Sequence, residues 1–355
     1  MSPAPGDIRV MIVDDSAVIR GLLRNLITRE SGIDVVASAP NGRAAIETLR
    51  TTAADVVLLD VEMPEMDGLA ALPLLLQARP GVRILMASTL TQRGASTTIK
   101  ALSSGAADYI AKPTSLREGN GLDSIGPELI AKIRVLGRRP GATGPGSGIA
   151  LRRPPPGRPA PPRLLAIGSS TGGPSALTAV LSALGPEFRL PILITQHMPP
   201  TFTTMLAEHL GKDAQRASRV GQEGEPIEPG RIYVAPGDYH MVVGEPSARP
   251  VIRLNQNKPE NFCRPAVDPL FRSVAAVYGG AAIALILTGM GEDGLLGSKA
   301  LAAAGAPVVA QDEGTSVVWG MPGAVARAGI ATAVLPLPAI ADYITKLVRE
   351  RRDAA

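Results

Sequence analysis

The chain has 355 residues, 45% of them hydrophobic and 19% charged, which is the balance of a globular protein with room for two domains. Its one cysteine, Cys263, excludes an internal disulfide, and its three histidines lack the spacing of a zinc site. The first residues lack the apolar stretch of a signal peptide, and no apolar run reaches the ~20 residues of a membrane span. We therefore expect a cytoplasmic protein that does not insert into a membrane.

The net charge of +4 arises from one segment of the chain. Residues 138–163 hold six arginines, many prolines and glycines, and no acidic residue, whereas acidic residues outnumber basic ones elsewhere. Because this composition cannot bury enough apolar surface to fold, it predicts a linker over 137–162 between domains at 1–136 and 163–355. The basic linker is the only feature that favours a DNA-binding regulator. Without a recognition helix, zinc finger or aromatic-basic pattern, we expect no nucleic-acid partner.

Short apolar runs alternate with helical patterns on both sides of the linker. This alternation is typical of parallel sheets covered by helices, so we expect two α/β domains, a five-stranded (βα)5 domain and a larger, doubly wound parallel-sheet domain. The predicted strands are Ile8–Val13, Val35–Ala37, Val56–Leu59, Ile84–Met86 and Tyr109–Ile110 before the linker, and Leu164–Ile167, Ile192–Thr195, Ile232–Val234, Ile283–Leu287 and Val308–Ala310 after it. The predicted helices include Ala17–Thr28, Arg43–Leu49, Ser175–Leu184 and Leu295–Ala304.

Carboxylates stand at the ends of predicted strands in the first domain. Asp14 and Asp15 follow the first strand and Asp60 follows the third, and the carboxyl ends of parallel strands meet at one edge of a sheet. Three carboxylates repel one another unless a cation lies among them, and Mg2+ prefers such oxygen ligands. Ser88 and Lys112 follow the next two strands and suit contacts to a phosphoryl group. The alternative is that the aspartates only cap helices, but five polar positions at one edge favour phosphorylation.

These residues lie in motifs that resemble the response-regulator receiver family, namely VDDS at 13–16, LDVEMPEMDGL at 59–69, MAS at 86–88 and YIAKP at 109–113. The resemblance covers roughly residues 7–135 and implies phosphorylation of one aspartate by a histidine kinase with Mg2+. The implied roles are Asp60 as phosphate acceptor and metal ligand, Asp15 and the carbonyl of Glu62 as further ligands, Asp14 acting through a water, Ser88 and Tyr109 as a switch pair, and Lys112 as the phosphate contact.

A glycine-rich turn follows the first predicted strand of the second domain. Residues 168–172 fit G-x-S-x-G, in which a nucleophilic serine, here Ser170, sits on a sharp turn between a strand and a helix. The following helix would place amides and a partial positive charge near a developing oxyanion. Three alternatives are a purely structural turn, a nucleotide-phosphate cradle and an α/β-hydrolase. The phosphate-binding motifs G-x-G-x-x-G and G-x-x-x-x-G-K-[ST] are absent.

A nucleophilic serine needs a base, and the chain offers three histidines. His197 ends a predicted strand at the expected serine edge, whereas His209 lies within a helical pattern and His240 in a loop. Asp293 follows another predicted strand at the same edge and would orient the imidazole, with Asp268 as its rival. The residues therefore predict a Ser-His-Asp esterase or amidase site.

The surrounding motifs resemble the receiver-linked protein-glutamate methylesterases of chemotaxis: AIGSSTGGP at 166–174, ITQHMPPTFT at 194–203, YVAPGDYHM at 233–241, RPAVDPLF at 264–271 and LTGMGEDG at 287–294. The resemblance implies Ser170 as nucleophile, His197 as base and then acid, and Asp293 as the orienting carboxylate. It also implies the amide of Met290 as oxyanion donor, with Thr171 beside the nucleophile. Glu292 and Ala266 depart from the pattern, which leads us to expect a small or neutral residue and a hydroxyl residue there.

By this resemblance, the enzyme removes methyl esters from glutamates of methyl-accepting chemoreceptors, releases methanol, and deamidates receptor glutamines. It implies a chemotaxis histidine kinase as phosphodonor, Mg2+ in the first domain and no cofactor in the esterase. It further implies that the unphosphorylated receiver blocks the esterase, and we expect a monomer. The alternative is a phosphorylation-regulated binding module with an inactive triad, which the intact Ser170, His197 and Asp293 argue against.

Overall fold

The computed structural model divides into two compact units, Met1–Thr143 and Gly144–Ala355. Most of the predicted linker lies outside the residues that the structure describes. Arg152, one of its described residues, donates through its backbone amide to the carbonyl of Ala331 and through Nη1 to that of Ala306. The described residues are 6–89, 91–112, 121–138, 150–152, 160–244 and 249–353, the side chains of 121–124 excepted.

The first unit is a five-stranded parallel sheet in the order β2-β1-β3-β4-β5 with five helices. Every strand predicted for this domain is present, and the fold prediction is confirmed. The elements in chain order are β1 Ile8–Val13, α1 Ala17–Thr28, β2 Ile33–Ala39, α2 Gly42–Thr51, β3 Val56–Asp60, α3 Gly68–Ala78, β4 Arg83–Thr89, α4 Gln92–Ser103, β5 Asp108–Lys112 and α5 Gly121–Leu136.

Polar caps begin four of these helices at the carboxyl edge of the sheet. The side chains of Ser16, Asn41, Asp67 and Thr91 each accept a hydrogen bond from the backbone amide three residues later. Such caps satisfy amides that have no partner within the helix. The central strand β3 is buried along its whole length, so its final residue Asp60 is delivered to the capped edge from inside the core.

The second unit is built on a seven-stranded parallel sheet in the order β14-β13-β12-β6-β7-β9-β8. The predicted parallel sheet is confirmed. The antiparallel pair of β10 and β11 and the short outer strands β8 and β14 were not predicted, because none of them is an apolar run buried along its whole length, as the predicted three-residue β9 is. The elements are β6 Leu164–Ser169, α6 Gly173–Leu184, β7 Ile192–Gln196, α7 Pro200–Asp213, β8 Ser218–Val220, β9 Ile232–Val234, β10 His240–Gly244, β11 Val251–Asn255, α8 Val267–Tyr278, β12 Ala282–Ile286, α9 Leu295–Ala303, β13 Val308–Gln311, α10 Met321–Arg327, β14 Ala333–Leu335 and α11 Leu337–Asp353.

The sheet of the second unit reverses its strand order at β6. From β6 the chain first builds the side that holds β7 and β9, and later returns to build the side that holds β12 and β13. Ligands of open α/β sheets bind outside the carboxyl ends of the strands at such a reversal. The loops after β12, β6 and β7 are therefore where this fold positions a site.

Within the described ranges, no helix combines the length and the apolar character needed to cross a membrane.

Candidate active site

The three predicted carboxylates of the first unit meet at one edge. Carboxylate oxygens of Asp14, Asp15 and Asp60 lie within 4.8 Å of one another, with Asp14 and Asp60 buried and Asp15 exposed. The Lys112 ammonium lies 2.7 Å from Oδ2 of Asp14 and 2.7 Å from Oδ1 of Asp60. Glu62 is exposed two residues beyond β3. An exclusively oxygen-donating cluster of this charge fits Mg2+, so the residues suit the predicted cation.

Burial controls the ionisation of Asp60. Loss of solvation raises the pKa of its carboxyl to about 6, although the charge and hydrogen bond of Lys112 act in the opposite direction. A divalent cation beside the carboxylate would favour its ionised form further, because opposite charges stabilise each other. The geometry thus couples cation binding to the nucleophilic state of this carboxylate.

Ser88 and Tyr109 occupy neighbouring strands of the same unit. Ser88 is buried at the end of β4, and Tyr109 is buried in β5 beside Met86. Lys132 of α5, which the sequence analysis missed, lies 5.0 Å from the centre of the Tyr109 ring and donates to the Tyr109 carbonyl at 2.6 Å. A cation over the ring face stabilises this inward position of the tyrosine.

In the second unit, Ser170 begins the turn between β6 and α6. Its amide donates to the carbonyl of Thr288 at 3.0 Å, and Gly172 has a φ of 77°, which favours glycine at the start of the helix. Gln196 holds the turn from the next strand, accepting from the Ser169 hydroxyl at 2.7 Å and donating to the Ser170 carbonyl at 2.9 Å. These bonds fix the backbone of the predicted nucleophile.

His197 and Asp293 are in direct contact across 96 residues of sequence. Nε2 of His197 lies 2.7 Å from Oδ2 of Asp293, and both side chains are largely buried. Burial alone would lower the pKa of His197, but hydrogen bonds to Asp293 and Cys263 raise the pKa well above its ordinary value. Burial opposes ionisation of Asp293, yet its bond to His197 and its backbone hydrogen bonds hold the pKa of that carboxyl below its usual range.

The start of α8 holds the Asp293 carboxylate in place. Its oxygens accept from the amides of Val267 at 2.6 Å and Asp268 at 3.1 Å, and from Nδ2 of Asn261 at 2.9 Å. The N-cap residue of α8 is Ala266, which has no side-chain oxygen, so Asp293 supplies the missing cap. This explains how the helix begins without the hydroxyl residue that the family pattern led us to expect.

The rival residues have other partners. Asp268 accepts from the Gly297 amide at 2.6 Å, and among the described residues it makes no hydrogen bond to His197. His240 is buried, with Nδ1 accepting from the Ala266 amide and Nε2 near the Lys258 carbonyl. His209 pairs with Asp213 one helical turn away. These side chains serve packing and helix contacts.

Ser170 and His197 leave adjacent strands at matching positions. Ser169 pairs with Gln196 in the sheet, and the amide of His197 reaches the Ser169 carbonyl at 3.4 Å. Across the described ranges, no hydrogen bond within 3.5 Å joins the Ser170 hydroxyl to the imidazole. Nε2 faces Asp293, and Nδ1 faces Sγ of Cys263.

The turn that contains Asp293 also lies against Ser170. Gly289 approaches so closely that a Cβ there would stand 2.9 Å from Cβ of Ser170. The next residue, Met290, has a backbone amide that donates to no other described group. Thr171 is buried and its carbonyl accepts from the Thr288 hydroxyl at 2.9 Å. Glu292 is exposed on the same turn.

Cys263 lies against the second imidazole nitrogen, with Sγ 3.4 Å from Nδ1 of His197. We predict that alkylation of this half-buried thiol by iodoacetamide lowers ester hydrolysis by about 10²-fold, because the added group fills the space in front of Nδ1 that the serine hydroxyl must reach. Mass spectrometry would report the extent of alkylation, and a Cys263→Ala variant treated identically should keep its activity. Full activity of completely alkylated enzyme would contradict the prediction.

Three residues at this site were missed from the sequence. Gln196 directly precedes His197, and its place at a strand end was the available signal. Asn261 and Cys263 lie in a loop without periodicity, so no local pattern marked them. Their roles depend on contacts with Asp293 and His197 that only the folded chain creates.

Comparison with known proteins finds two matching family models. Residues 165–344 match the CheB methylesterase family and residues 10–120 match the response regulator receiver domain. A curated protein of Paramagnetospirillum magneticum, named protein-glutamate methylesterase/protein-glutamine glutaminase 1, is 52% identical over 99% of this chain and 98% of its own length. A protein of Azospirillum brasilense with the same name, without the numeral, is 51% identical over 97% of this chain and 93% of its own. The crystal structure of the Thermotoga maritima CheB methylesterase catalytic domain superposes with a TM-score of 0.51 at 38% identity, covering 53% of this chain and 98% of that domain.

Proposed function

Because the chain belongs to the CheB methylesterase family and carries a response regulator receiver domain, we propose that it is a phosphorylation-activated protein-glutamate methylesterase of chemotaxis. Its substrates are methyl-esterified glutamates of chemoreceptors, and the products are methanol and glutamate. The same site deamidates receptor glutamines, since both reactions pass through attack on a glutamyl carbonyl. The observation that carries the proposal is the direct His197–Asp293 contact beside the turn that holds Ser170.

In the proposed reaction, the Ser170 hydroxyl attacks the ester carbonyl while Nδ1 of His197 takes up its proton. Asp293 holds the ring through Nε2 and stabilises the imidazolium that forms. The uncommitted amide of Met290 and the N-terminus of α6 face the developing oxyanion. His197 then protonates the leaving methanol, and a water that it activates releases glutamate from the acyl-enzyme. The esterase uses no cofactor.

In the first unit, Asp60 accepts the phosphoryl group from the chemotaxis histidine kinase. Asp15, Asp60 and the carbonyl of Glu62 would hold Mg2+, with Asp14 acting through a water, and the cation would favour ionised Asp60. Lys112 and Ser88 contact the phosphoryl oxygens, and Tyr109 is the second switch residue. The oxygen cluster and the two Lys112 contacts support these roles. We assign the receiver to residues 1–136, the spacer to 137–162 and the esterase to 163–355, acting as a cytoplasmic monomer.

The test is methanol release from a methylated chemoreceptor, with and without acetyl phosphate and Mg2+. Release by the wild type should rise with the phosphodonor, whereas Asp60→Asn should keep only the basal rate, because it cannot form the acyl phosphate. An isolated fragment of residues 163–355 should release methanol faster than the unphosphorylated full chain if the receiver restrains the esterase. Phosphorylation of Asp60 without methanol release from any receptor would instead favour a binding module.

A further inference from the structure

A strained turn carries an exposed aromatic residue next to the proposed catalytic residues. Glu260 and Cys263 exchange two backbone hydrogen bonds, of 2.9 and 3.2 Å, around Asn261 and Phe262. Both central residues have positive φ, 51° for Asn261 and 63° for Phe262. Asparagine tolerates this conformation, but a bulky residue there is an outlier with a strained backbone. The Phe262 side chain is 103% exposed, so none of the described residues packs against it to compensate for the strain.

Contacts on either side of Phe262 hold the turn against the site. Nδ2 of Asn261 donates to Asp293 at 2.9 Å and to Asp268 at 3.1 Å. Sγ of Cys263 lies 3.4 Å from His197, and Glu260 pairs with Arg272 at 2.6 Å. The residues before and after Phe262 thus contact the proposed base and its carboxylate, while the ring between them faces solvent. Strain that the surroundings maintain in this way is typical of functional positions.

The other exposed large apolar side chains of the esterase lie at the same edge. In the ranges 160–244 and 249–353, these side chains are Tyr239, Phe262, Met290 and Leu296, which we call the apolar rim. Met290 and Leu296 flank the Asp293 turn in the sequence. Asp238, next to Tyr239, forms a 2.7 Å ion pair with Arg264, the residue after Cys263. Exposed apolar side chains around a site are suited to contact with a macromolecule.

We propose that Phe262 is a specificity-determining residue that packs on apolar side chains of the protein substrate beside the esterified glutamate. The inference rests on the proposed methylesterase function. A small ester bound at Ser170 would leave a solvent-facing ring untouched, whereas a protein segment entering the site must cross the apolar rim. Burial of one aromatic ring is a typical source of affinity at protein interfaces.

The experiment compares Phe262→Ala, Phe262→Leu and the control Leu151→Ala in the full chain with Mg2+, each in the presence and in the absence of acetyl phosphate. Leu151 is exposed. The next residue, Arg152, donates hydrogen bonds to the carbonyls of Ala306 and Ala331, which precede β13 and β14. Leu151 therefore lies at the edge of the sheet opposite the one that holds the proposed catalytic residues. Two rates are measured for each variant, methanol release from a methylated receptor and labelling of Ser170 by a small fluorophosphonate. We expect Phe262→Ala to lower kcat/KM for the receptor about tenfold, mainly through KM, with labelling unchanged. Phe262→Leu should recover part of the loss, and Leu151→Ala should match the wild type.

Several results would overturn the inference. Parallel loss of labelling and methanol release in Phe262→Ala would make the turn a support of the catalytic residues. If kcat/KM for the receptor is unchanged in Phe262→Ala, the ring does not contact the substrate. The same conclusion follows if methanol release by this variant rises only in the absence of phosphodonor. If the wild type is labelled but releases no methanol, the proposed function itself fails. Phe262→Gly should melt at the same or a higher temperature than the wild type, because it relieves the strain, and this keeps activity loss separate from misfolding.

Discussion

Ser170→Ala should abolish methanol release, with kcat reduced by about 10⁶-fold as for removal of the nucleophile in other Ser-His-Asp hydrolases. In the proposed reaction the hydroxyl forms the bond to the glutamyl carbonyl, and alanine offers no replacement atom. The fold should be unaffected, because the turn is held by backbone groups and Gln196, and among the described residues no hydrogen bond depends on the Ser170 hydroxyl. Methanol is measured after addition of acetyl phosphate, so that an unphosphorylated receiver cannot explain the loss of activity.

Two controls make the Ser170 result specific. Ser182→Ala removes a hydroxyl from the exposed face of α6, the helix that follows the Ser170 turn, where it makes only a 3.4 Å contact with the Asp213 carbonyl, and should retain wild-type turnover. Phosphorylation of Asp60 should be equal in both variants. Substantial methanol release by Ser170→Ala, above about 10⁻³ of the wild-type rate, would rule out this serine as the nucleophile.

Asp293→Asn should lower kcat by about 10⁴-fold and shift the pH dependence, in line with the same change in other catalytic triads. His197 accepts the serine proton only when its imidazole is neutral, so kcat/KM should rise as the pH increases through its elevated pKa. Because asparagine removes the negative charge that helps raise this pKa, the rise should move to lower pH with a much lower plateau. The side-chain NH2 of asparagine would also face the backbone amides of Val267 and Asp268, which are donors themselves. The unmatched donors should lower the free energy of unfolding by about 1–3 kcal/mol.

Asp268→Asn is the matched control for that prediction. Asp268 is equally buried and accepts from the Gly297 amide and from Asn261, but it does not contact His197. A similar loss of melting temperature is therefore expected in both variants, measured by thermal denaturation. Only Asp293→Asn should shift the pH profile of methanol release. An equal shift of the pH profile in Asp268→Asn would contradict the assignment of the orienting role to Asp293.

Local sequence was sufficient to predict the strand–helix alternation, because buried parallel strands and amphipathic helices leave periodic patterns within about ten residues. It also placed Asp14, Asp60, Ser170 and His197 correctly at strand ends, since a polar residue that interrupts an apolar run marks the point where a strand leaves the core. The short strands β8 and β14 and the β10–β11 pair were not predicted, because they lack the continuous buried apolar run that identified the three-residue β9.

Only the tertiary structure decided which side chains meet. From the sequence, either Asp268 or Asp293 could have been the partner of His197. The strand order β12-β6-β7 brings the Asp293 turn to His197, whereas Asp268 accepts a hydrogen bond from the Gly297 amide. Cys263 at the imidazole, Lys132 over Tyr109 and the strained Phe262 turn likewise depend on contacts between distant segments. Such contacts follow from how whole elements pack, and packing leaves no repeating signal in the residues that make them.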